Sequence, residues 1–175
     1  MPIFYDGIPS PLGPLWFVSS DGLSSGERAG LAWIKWGIDE TTLQQEITCQ
    51  SGCHLNPTRD PGRLREWRYR ISDYFSGRKI DFDGPIVPLV GTPFQQQVWR
   101  QMRTIPYGRV CSYAEVAQLL GSPGAARAVG AACGKNPIPI VVPCHRVIRQ
   151  DGTLGGYSGG VHIKKVLLRI EGIEI

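Results

Sequence analysis

A proline-rich segment divides this sequence into two parts whose residue patterns differ. Residues 85–91, PIVPLVG, carry two prolines and a glycine, which disrupt both a helix interior and a central strand. We interpret the segment as an extended connector between an N-terminal domain at 1–84 and a C-terminal domain at 92–175. A chain of 175 residues is long enough for one compact domain or two small ones.

The first part shows two strand patterns and one helix pattern. Leu15 to Ser19 and residues 29–38, AGLAWIKWGI, are rich in aromatic and aliphatic side chains and predict strands. The first strand is predicted to end at a turn at Asp21-Gly22, and the second alternates like a half-buried strand. Residues 63–77, RLREWRYRISDYFSG, repeat apolar side chains at helical spacing and end in glycine. The pattern predicts a small mixed domain of sheet and helix.

The second part is predicted to be mostly helical. Two capping boxes, Thr92 to Gln95 and Ser112 to Glu115, start helices that run to about Met102 and Leu120. Ser122-Pro123 is predicted to cap a third helix over GAARAVGAAC, which Gly134 and Pro137 end. The last two helices, joined by a short turn, predict a helix-turn-helix, although an Ala-rich packing helix is an equal interpretation. The fold class is therefore α+β, with a helix-turn-helix in the C-terminal domain.

Charge is unequally divided between the two parts. The first 84 residues carry 9 Lys or Arg and 11 Asp or Glu, while the remaining residues carry 10 and 4. The excess of Lys and Arg in the second part predicts a polyanionic partner, with nucleic acid as the first candidate. The sequence has no long apolar run and no signal-peptide pattern, so we expect no membrane association and no secretion. Five cysteines, an odd number, suggest no disulfide framework and indicate a reducing cytoplasmic location.

Cys144, within VVPCHRVI, has three interpretations: a buried structural thiol, a metal ligand or a nucleophile. A zinc site needs about four ligands at suitable spacing, which Cys144 and His145 alone do not supply. The cluster CQSGCH, with Cys49, Cys53 and His54, is more metal-like but lacks a second pair, so we predict no metal site. His145 and Arg146 are potential cations, which lower a thiol pKa and favour the nucleophile.

The geometry of a strand sets a condition on this nucleophile. Neighbouring side chains of a strand point to opposite faces, so either the chain bends after Pro143 or a water connects Cys144 with His145. Glu171 lies in the last turn of an amphipathic helix, where a negative charge opposes the helix dipole. We hypothesise that Glu171 orients His145 as the third group of a nucleophile–base site. A solvated surface glutamate is the alternative.

Four stretches carry a resemblance to a known family. NPIPIVVPCHRVI at 136–148, GGYSGG at 155–160, residues 91–137 and KKVLLRIEG at 164–172 closely resemble the O6-alkylguanine-DNA alkyltransferases. SPLGPLWFV at 10–18 and YFSGRKIDFDGPI at 74–86 resemble the same family more loosely. The layout resembles the bacterial constitutive type, which implies an RNase H-like N-terminal domain.

The resemblance implies a monomeric DNA repair protein that acts on double-stranded DNA containing O6-alkylguanine. It would transfer the alkyl group irreversibly to Cys144, once per molecule and without a cofactor, and activity on O4 of thymine stays open. His145 would deprotonate Cys144 through a water, and Glu171 would hold His145. Asn136 would brace the hinge before the reactive cysteine, and Tyr113 would donate a hydrogen bond to N3 of the extruded guanine.

The resemblance also implies a substrate pocket and a DNA-binding surface. In the pocket, the Ser158 N–H would bind O6, the carbonyls of Cys144 and Val147 would bind the exocyclic amine, and Pro139 and Tyr157 would form the walls. Cys133 lies where some relatives carry methionine. Arg127 would fill the space that the extruded base leaves. The other expected DNA-contacting residues are Tyr113, Ala126, Ala128, Gly130 and Lys135.

A second hypothesis is a relative that binds alkylated bases and flags them without any reaction. Such relatives carry tryptophan at the acceptor position, and Cys144 argues against this interpretation.

Overall fold

A computed structural model describes residues 2–20, 30–50, 56–88 and 90–175. The chain divides into two compact units, Met1–Leu89 and Val90–Ile175. The elements of the first unit are β1 (Ile3–Ser10), β2 (Gly13–Ser20), β3 (Gly30–Trp36), α1 (Glu40–Gln50), β4 (Thr58–Arg59) and α2 (Arg65–Phe75). The predicted turn at Asp21-Gly22 lies outside the described residues. The mixed α+β class predicted from the sequence is confirmed.

The first unit contains a four-stranded sheet in the order β3-β2-β1-β4. β1 and β2 form an antiparallel hairpin, β2 and β3 are also antiparallel, and β4 pairs parallel with β1. β2 begins two residues earlier than the sequence predicts, and β1 was not predicted. Its sequence, IFYDGIPS, contains residues that strands usually disfavour. Packing explains the glycine at position 7 of this strand, because an added Cβ would lie 2.5 Å from the Trp16 ring.

Helices cover both faces of this sheet. α1 packs through Leu43 and Ile47 against a cluster that includes Tyr5 and Trp33. On the opposite face, Arg68 of α2 reaches the buried Asp6 at 3.0 Å. β2 and β3 are consequently buried on both faces for most of their length, so the half-buried alternation expected for the second strand was wrong.

The end of the first unit runs beside β3. Leu31 N donates to Pro85 O at 3.0 Å, and Val87 N donates to Leu31 O at 2.8 Å. Within the proline-rich segment, residues 85–87 therefore follow the edge of the sheet in parallel register. Gly30 faces this strand closely, because a Cβ there would lie 2.9 Å from Pro85 O.

Helices are the main regular elements of the second unit, as predicted. Its elements are α3 (Pro93–Met102), β5 (Cys111–Ser112), α4 (Tyr113–Leu119), α5 (Ala126–Gly134), a 3-10 turn (Cys144–Arg146), β6 (Val147–Ile148) and α6 (Val161–Ile170). Thr92 and Ser112 form both predicted capping boxes, and both predicted starts are confirmed. β5 and β6 pair in parallel, which places the 3-10 turn next to the start of α4.

The start and end of α5 differ from the prediction. Ala125 is the N-cap and makes no side-chain cap; Ser122 instead accepts a backbone bond from Ala125 N at 2.9 Å. Gly134 lies inside the helix and Lys135 follows as the C-cap. Ser122-Pro123 therefore belongs to the turn between α4 and α5, so its assignment as the cap was wrong. α4 and α5 pack against each other, and α3 packs against α5.

No described helix has the length and apolar composition needed to cross a membrane.

Candidate functional site

The chain bends sharply at Cys144. The segment before it is not a strand: Val142 N donates to Ile138 O at 2.8 Å, and Ile140 has a φ of 76°. A left-handed backbone is strained for a β-branched residue, at a cost of about 1–3 kcal/mol. After Pro143 the chain forms a 3-10 turn over Cys144–Arg146. The structure thus has the bend considered from the sequence, and this bend is compatible with a water between Cys144 and His145.

Asn136 ties this bend to the sulfur. Its Nδ2 donates to Val142 O at 2.8 Å and to Cys144 Sγ at 3.1 Å, and its Oδ1 accepts from Ile138 N at 3.0 Å. The side chain of Tyr157 also approaches the sulfur, with 3.8 Å between Oη and Sγ. Asn136 therefore fixes the strained segment and the thiol with one amide group.

The Cys144 thiol is nearly buried, with 4% of the residue exposed. Burial raises the pKa of the Cys144 thiol, and its hydrogen bonds with Asn136 and Tyr157 oppose this rise. Since the anion is disfavoured in a buried site, the resting group is a thiol at neutral pH. Nucleophilic attack from this position requires a base.

His145 and Glu171 form a buried pair. His145 Nε2 lies 2.6 Å from Glu171 Oε1, and neither side chain is exposed. Burial lowers the pKa of His145 against the opposing effect of Glu171, so the imidazole is neutral at neutral pH. Because a carboxylate only accepts hydrogen bonds, we assign the hydrogen to Nε2 and the lone pair to Nδ1. A neutral imidazole held in this tautomer can accept a proton.

Arg146 completes the surroundings of the carboxylate. Its Nε donates to Glu171 Oε2 at 2.9 Å, its Nη2 donates to Oε1 at 3.0 Å, and its Nη1 donates to Ile105 O at 2.6 Å. Gly108 N donates to Oε2 at 3.1 Å. Burial raises the pKa of Glu171, but the hydrogen bonds from His145 and Arg146 and the charge of Arg146 outweigh it and lower the pKa to about 2. The carboxylate is therefore ionised at any physiological pH.

A groove of about 440 Å³ lies beside this cluster. Its lining residues are Tyr113, Ala126, Arg127, Gly130, Arg149, Gly155 and Gly156. Burial raises the pKa of Tyr113 to about 12, so its hydroxyl keeps its proton and can donate. Close packing explains the glycine at position 155, because a Cβ there would lie 3.2 Å from Tyr113 Oη.

The sequence-predicted residues fall into three places. Tyr113, Arg127, Ala126 and Gly130 line the groove, whereas Cys144, His145, Glu171, Asn136 and Tyr157 form the buried cluster. Among the other expected pocket residues, Pro139 pairs with Val142, Cys133 lies 3.4 Å from Met102 Sδ, and Val147 is buried. Ser158, Ala128 and Lys135 are exposed.

Sequence reasoning missed three residues near the site. Arg146 was expected to act on the thiol but instead neutralises Glu171. Arg149, which lines the groove, carries no sequence signal beyond its charge. Lys164 of α6 is fully buried, although it is a lysine. Its place one residue after Ile163, at the edge of the apolar stripe, was the only available signal.

Charged side chains on the surface of the second unit are mostly cationic. The exposed anions are Glu115, Asp151 and Glu174, whereas the exposed cations are Arg100, Arg109, Arg127, Lys135, Arg149, Lys165 and Arg169. Two cations counted in the sequence, Arg146 and Lys164, are buried and do not contribute to this surface. The excess still favours an anionic partner.

In the described part of the chain, no three His, Cys, Asp or Glu side chains lie together as a metal site would require. Cys49 is exposed, while Cys53 and His54 lie outside the described residues.

Residues 93–173 match the family described as 6-O-methylguanine DNA methyltransferase, DNA binding domain. This match includes α3 to α6 and therefore all of the buried cluster and the groove.

Relatives match over nearly the whole chain. The methylated-DNA–protein-cysteine methyltransferase of Salmonella typhimurium is 45% identical over 168 residues, which cover 94% of this chain and 93% of the relative. The protein of the same name from Mycobacterium tuberculosis is 42% identical over 169 residues, covering 97% and 92%.

Solved structures agree with these relatives. The crystal structure of Mycobacterium tuberculosis OGT in complex with DNA has a TM-score of 0.75 and 39% identity, covering 97% of this chain and 93% of that one. O6-methylguanine-DNA methyltransferase from Pyrococcus kodakaraensis has a TM-score of 0.67 and 27% identity, covering 98% and 99%. The chain belongs to the methylated-DNA–protein-cysteine methyltransferase family.

Proposed function

We propose that this protein repairs duplex DNA directly by moving an alkyl group from O6 of guanine to Cys144 Sγ, once per molecule. The observation that carries the proposal is the arrangement around the sulfur: a thiol held by Asn136, followed by a neutral imidazole that a buried carboxylate orients. A damage-flagging protein without transfer would not need this arrangement.

The reaction is a displacement at the alkyl carbon. The Cys144 proton passes to Nδ1 of His145 through a bridging water, and the sulfur attacks the carbon attached to O6. The S–C bond forms as the C–O6 bond breaks, and the bonding electrons leave with guanine. The proton held by His145 then passes to the purine, so that the products are a neutral guanine and a thioether.

Tyr113 supports the leaving base. With its pKa raised to about 12 by burial, the hydroxyl is a donor at neutral pH. A hydrogen bond to N3 of guanine would stabilise the negative charge that develops on the purine, as donors to a developing anion do. Tyr113 lines the groove, where an extruded base would enter.

The α4–turn–α5 pair is proposed to act as a helix-turn-helix against DNA. α5 presents small side chains, with Arg127 as its one long exposed residue, which suits close approach to a minor groove and insertion of a wedge. The target atom lies inside the base stack, so the nucleotide must be flipped out, at a cost of a few kcal/mol. The cationic surface would supply attraction to phosphates without sequence preference.

Access to the sulfur requires a local change. With only 4% of Cys144 exposed, the base has to reach it from the groove. Gly155 and Gly156 line that groove, and the next residue, Tyr157, contacts the sulfur. We infer that residues 155–157 move aside when the base enters the groove.

The remaining assignments are proposals of the same kind. The first unit is proposed to have the RNase H-like arrangement of the family. The protein is proposed to act as a monomer in the cytoplasm, where a reducing environment keeps the acceptor thiol available.

Stoichiometry tests the function. A duplex carrying one O6-methylguanine is mixed with increasing protein, and the restored guanine is measured by nucleoside analysis. We expect one guanine restored per protein molecule and none with Cys144→Ala, which should still bind the duplex. Repeated turnover, or restoration by Cys144→Ala, would contradict the proposal.

A further inference from the structure

Lys164 is a buried cation that the proposed reaction does not use. It lies on α6 with no exposed surface. Its Nζ donates to Val147 O and to Leu154 O, both at 2.5 Å. An ammonium group is expensive to bury, so a lysine in this position calls for a specific reason.

The two carbonyls lie at the two ends of one loop, residues 147–154. Val147 directly follows the turn that contains Cys144, and Leu154 directly precedes Gly155 and Gly156, which line the groove. Between these ends the chain reverses, with Arg149 N donating to Thr153 O at 2.8 Å. Lys164 therefore joins the segment behind the sulfur to the segment that walls the groove.

The charge of Lys164 is not neutralised by an acid. Glu171, the carboxylate at the centre of the site, pairs with His145 and Arg146. None of the carboxylates within residues 90–175 forms an ion pair with Lys164. The charged or titratable groups around Lys164 are the Tyr113 ring at 5.9 Å, Cys133 on α5, and Cys144 and His145 in the 3-10 turn. A thiolate at Cys144 would be the natural counter-charge.

We propose that Lys164 is a positioning residue that holds the two ends of the 147–154 loop together and supplies the positive charge that favours the anionic form of Cys144. Its part in alkyl transfer rests on the proposed function, whereas its effect on the thiol does not.

The electrostatics agree with this geometry. Lys164 is among the groups that lower the pKa of Cys144 against the larger effect of burial. Burial lowers the pKa of Lys164 itself to about 8, and the charges of Cys144 and Cys133 oppose this. The ammonium is thus charged at neutral pH and loses its proton as the pH rises through about 8.

The test compares Lys164→Met, which removes charge and donor, Lys164→Gln, which removes only the charge, and Lys164→Arg, which keeps both. Lys165→Met is the matched control, since Lys165 is the exposed neighbour on the same helix. The reagent is iodoacetamide, and the rate at Cys144 is followed against pH by peptide mapping. No DNA is involved, so failure of the repair proposal leaves this readout intact.

We expect the Met and Gln variants to raise the apparent pKa of Cys144 by about one unit, which slows its reaction at neutral pH about tenfold. Lys164→Arg and Lys165→Met should keep the parental profile. An unchanged profile in the Met and Gln variants would overturn the proposal. So would a raised pKa in Lys164→Arg equal to that in Lys164→Gln.

A second measurement avoids any change at Lys164. If the two groups are coupled, an anion at the position of the sulfur favours the ammonium, so Cys144→Asp is compared with Cys144→Ala. Side-chain NMR of Lys164 should then show a higher pKa in Cys144→Asp than in Cys144→Ala. A pKa that does not change would overturn the proposal even where the Met and Gln variants do not fold.

Discussion

The His145 imidazole and the Glu171 carboxylate lie 2.6 Å apart, fully buried, although 25 residues separate them in the chain. Glu171 follows the last residue of α6, and His145 lies in the 3-10 turn that α6 packs against. Arg146 neutralises the carboxylate from the same turn. One acid therefore orients the proposed base and also holds Arg146, the next residue in the chain.

Replacing Glu171 with glutamine should strongly destabilise the protein at neutral pH. The change leaves the buried Arg146 without its counter-charge, and breaking a buried pair in this way costs about 3–5 kcal/mol. Urea unfolding at pH 7 measures the difference. Glu174→Gln, at an exposed position near the C-terminus, is the control and should match the parent.

The same residue gives the parent a pH-dependent stability. The pKa of Glu171 is lowered to about 2 in the folded state, against about 4.3 in an unfolded chain. The folded state holds this proton less tightly, so its stabilisation is complete above about pH 5 and is lost as the pH falls towards 2. The stability gap between the parent and Glu171→Gln should narrow between pH 5 and pH 3; a constant gap would contradict the assignment.

Replacing Asn136 with alanine should affect both stability and the thiol. The amide joins Val142 O, Cys144 Sγ and Ile138 N in partly buried hydrogen bonds. Leaving their buried partners unpaired costs about 1–3 kcal/mol. Without the donor at 3.1 Å, the pKa of Cys144 should rise further. Thermal unfolding and the pH profile of iodoacetamide labelling measure the two effects. Asn56→Ala, which changes an exposed asparagine, should alter neither.

Replacing Tyr113 with phenylalanine should slow transfer without unfolding the protein. The ring still fills its place beside Gly155 and Gly130, but the donor to the leaving purine is lost. Removing one donor to a developing anion costs roughly 10²-fold in rate. Single-turnover transfer from O6-methylguanine duplex measures it. Equal rates in Tyr113→Phe and the parent would remove Tyr113 from the proposed chemistry.

Replacing Arg127 with alanine should slow reaction with duplex DNA while sparing free O6-benzylguanine. A residue that fills the vacated stack has no part when the base is already free. Arg169→Ala, on the exposed side of α6, is the control for lost surface charge. Equal losses on both substrates would show that Arg127 acts on the pocket instead of the duplex.

Arg149 lines the same groove and offers a contrast with Arg127. If it contacts a phosphate, Arg149→Ala should weaken duplex binding and reduce the salt dependence of log K by about one unit. An unchanged slope would argue against a phosphate contact.

Local signals explain which helices the sequence predicts. The capping boxes at Thr92 and Ser112 act within four residues, and both appear as expected. β1 and α1 were missed for different reasons. β1 is specified by its partners, as with Gly7 under the Trp16 ring. Among the side chains described in residues 40–49 of α1, only Leu43 and Ile47 are buried. The Asp39 cap on Thr42 N, at 2.7 Å, was the signal available for α1.

At the site, the sequence indicated a conflict but not its full solution. The unfavourable charge of Glu171 at a helix C-terminus suggested a cationic or donating partner, and the structure places His145 and Arg146 there. The strained Ile140 had no such signal, and the buried Lys164 had only its place at the edge of the apolar stripe. Both depend on contacts between segments distant in sequence, which periodicity and local propensity do not encode.

The central claim is that Cys144 Sγ receives the alkyl group, and peptide mass mapping tests it most directly. The protein is incubated with O6-methylguanine duplex, digested, and each of its cysteines is examined for added methyl. We predict that the peptide containing Cys144 gains the mass of one methyl group and that peptides containing Cys49, Cys53, Cys111 or Cys133 gain none. Methylation at another cysteine, or restored guanine with no methylated cysteine, would contradict the account.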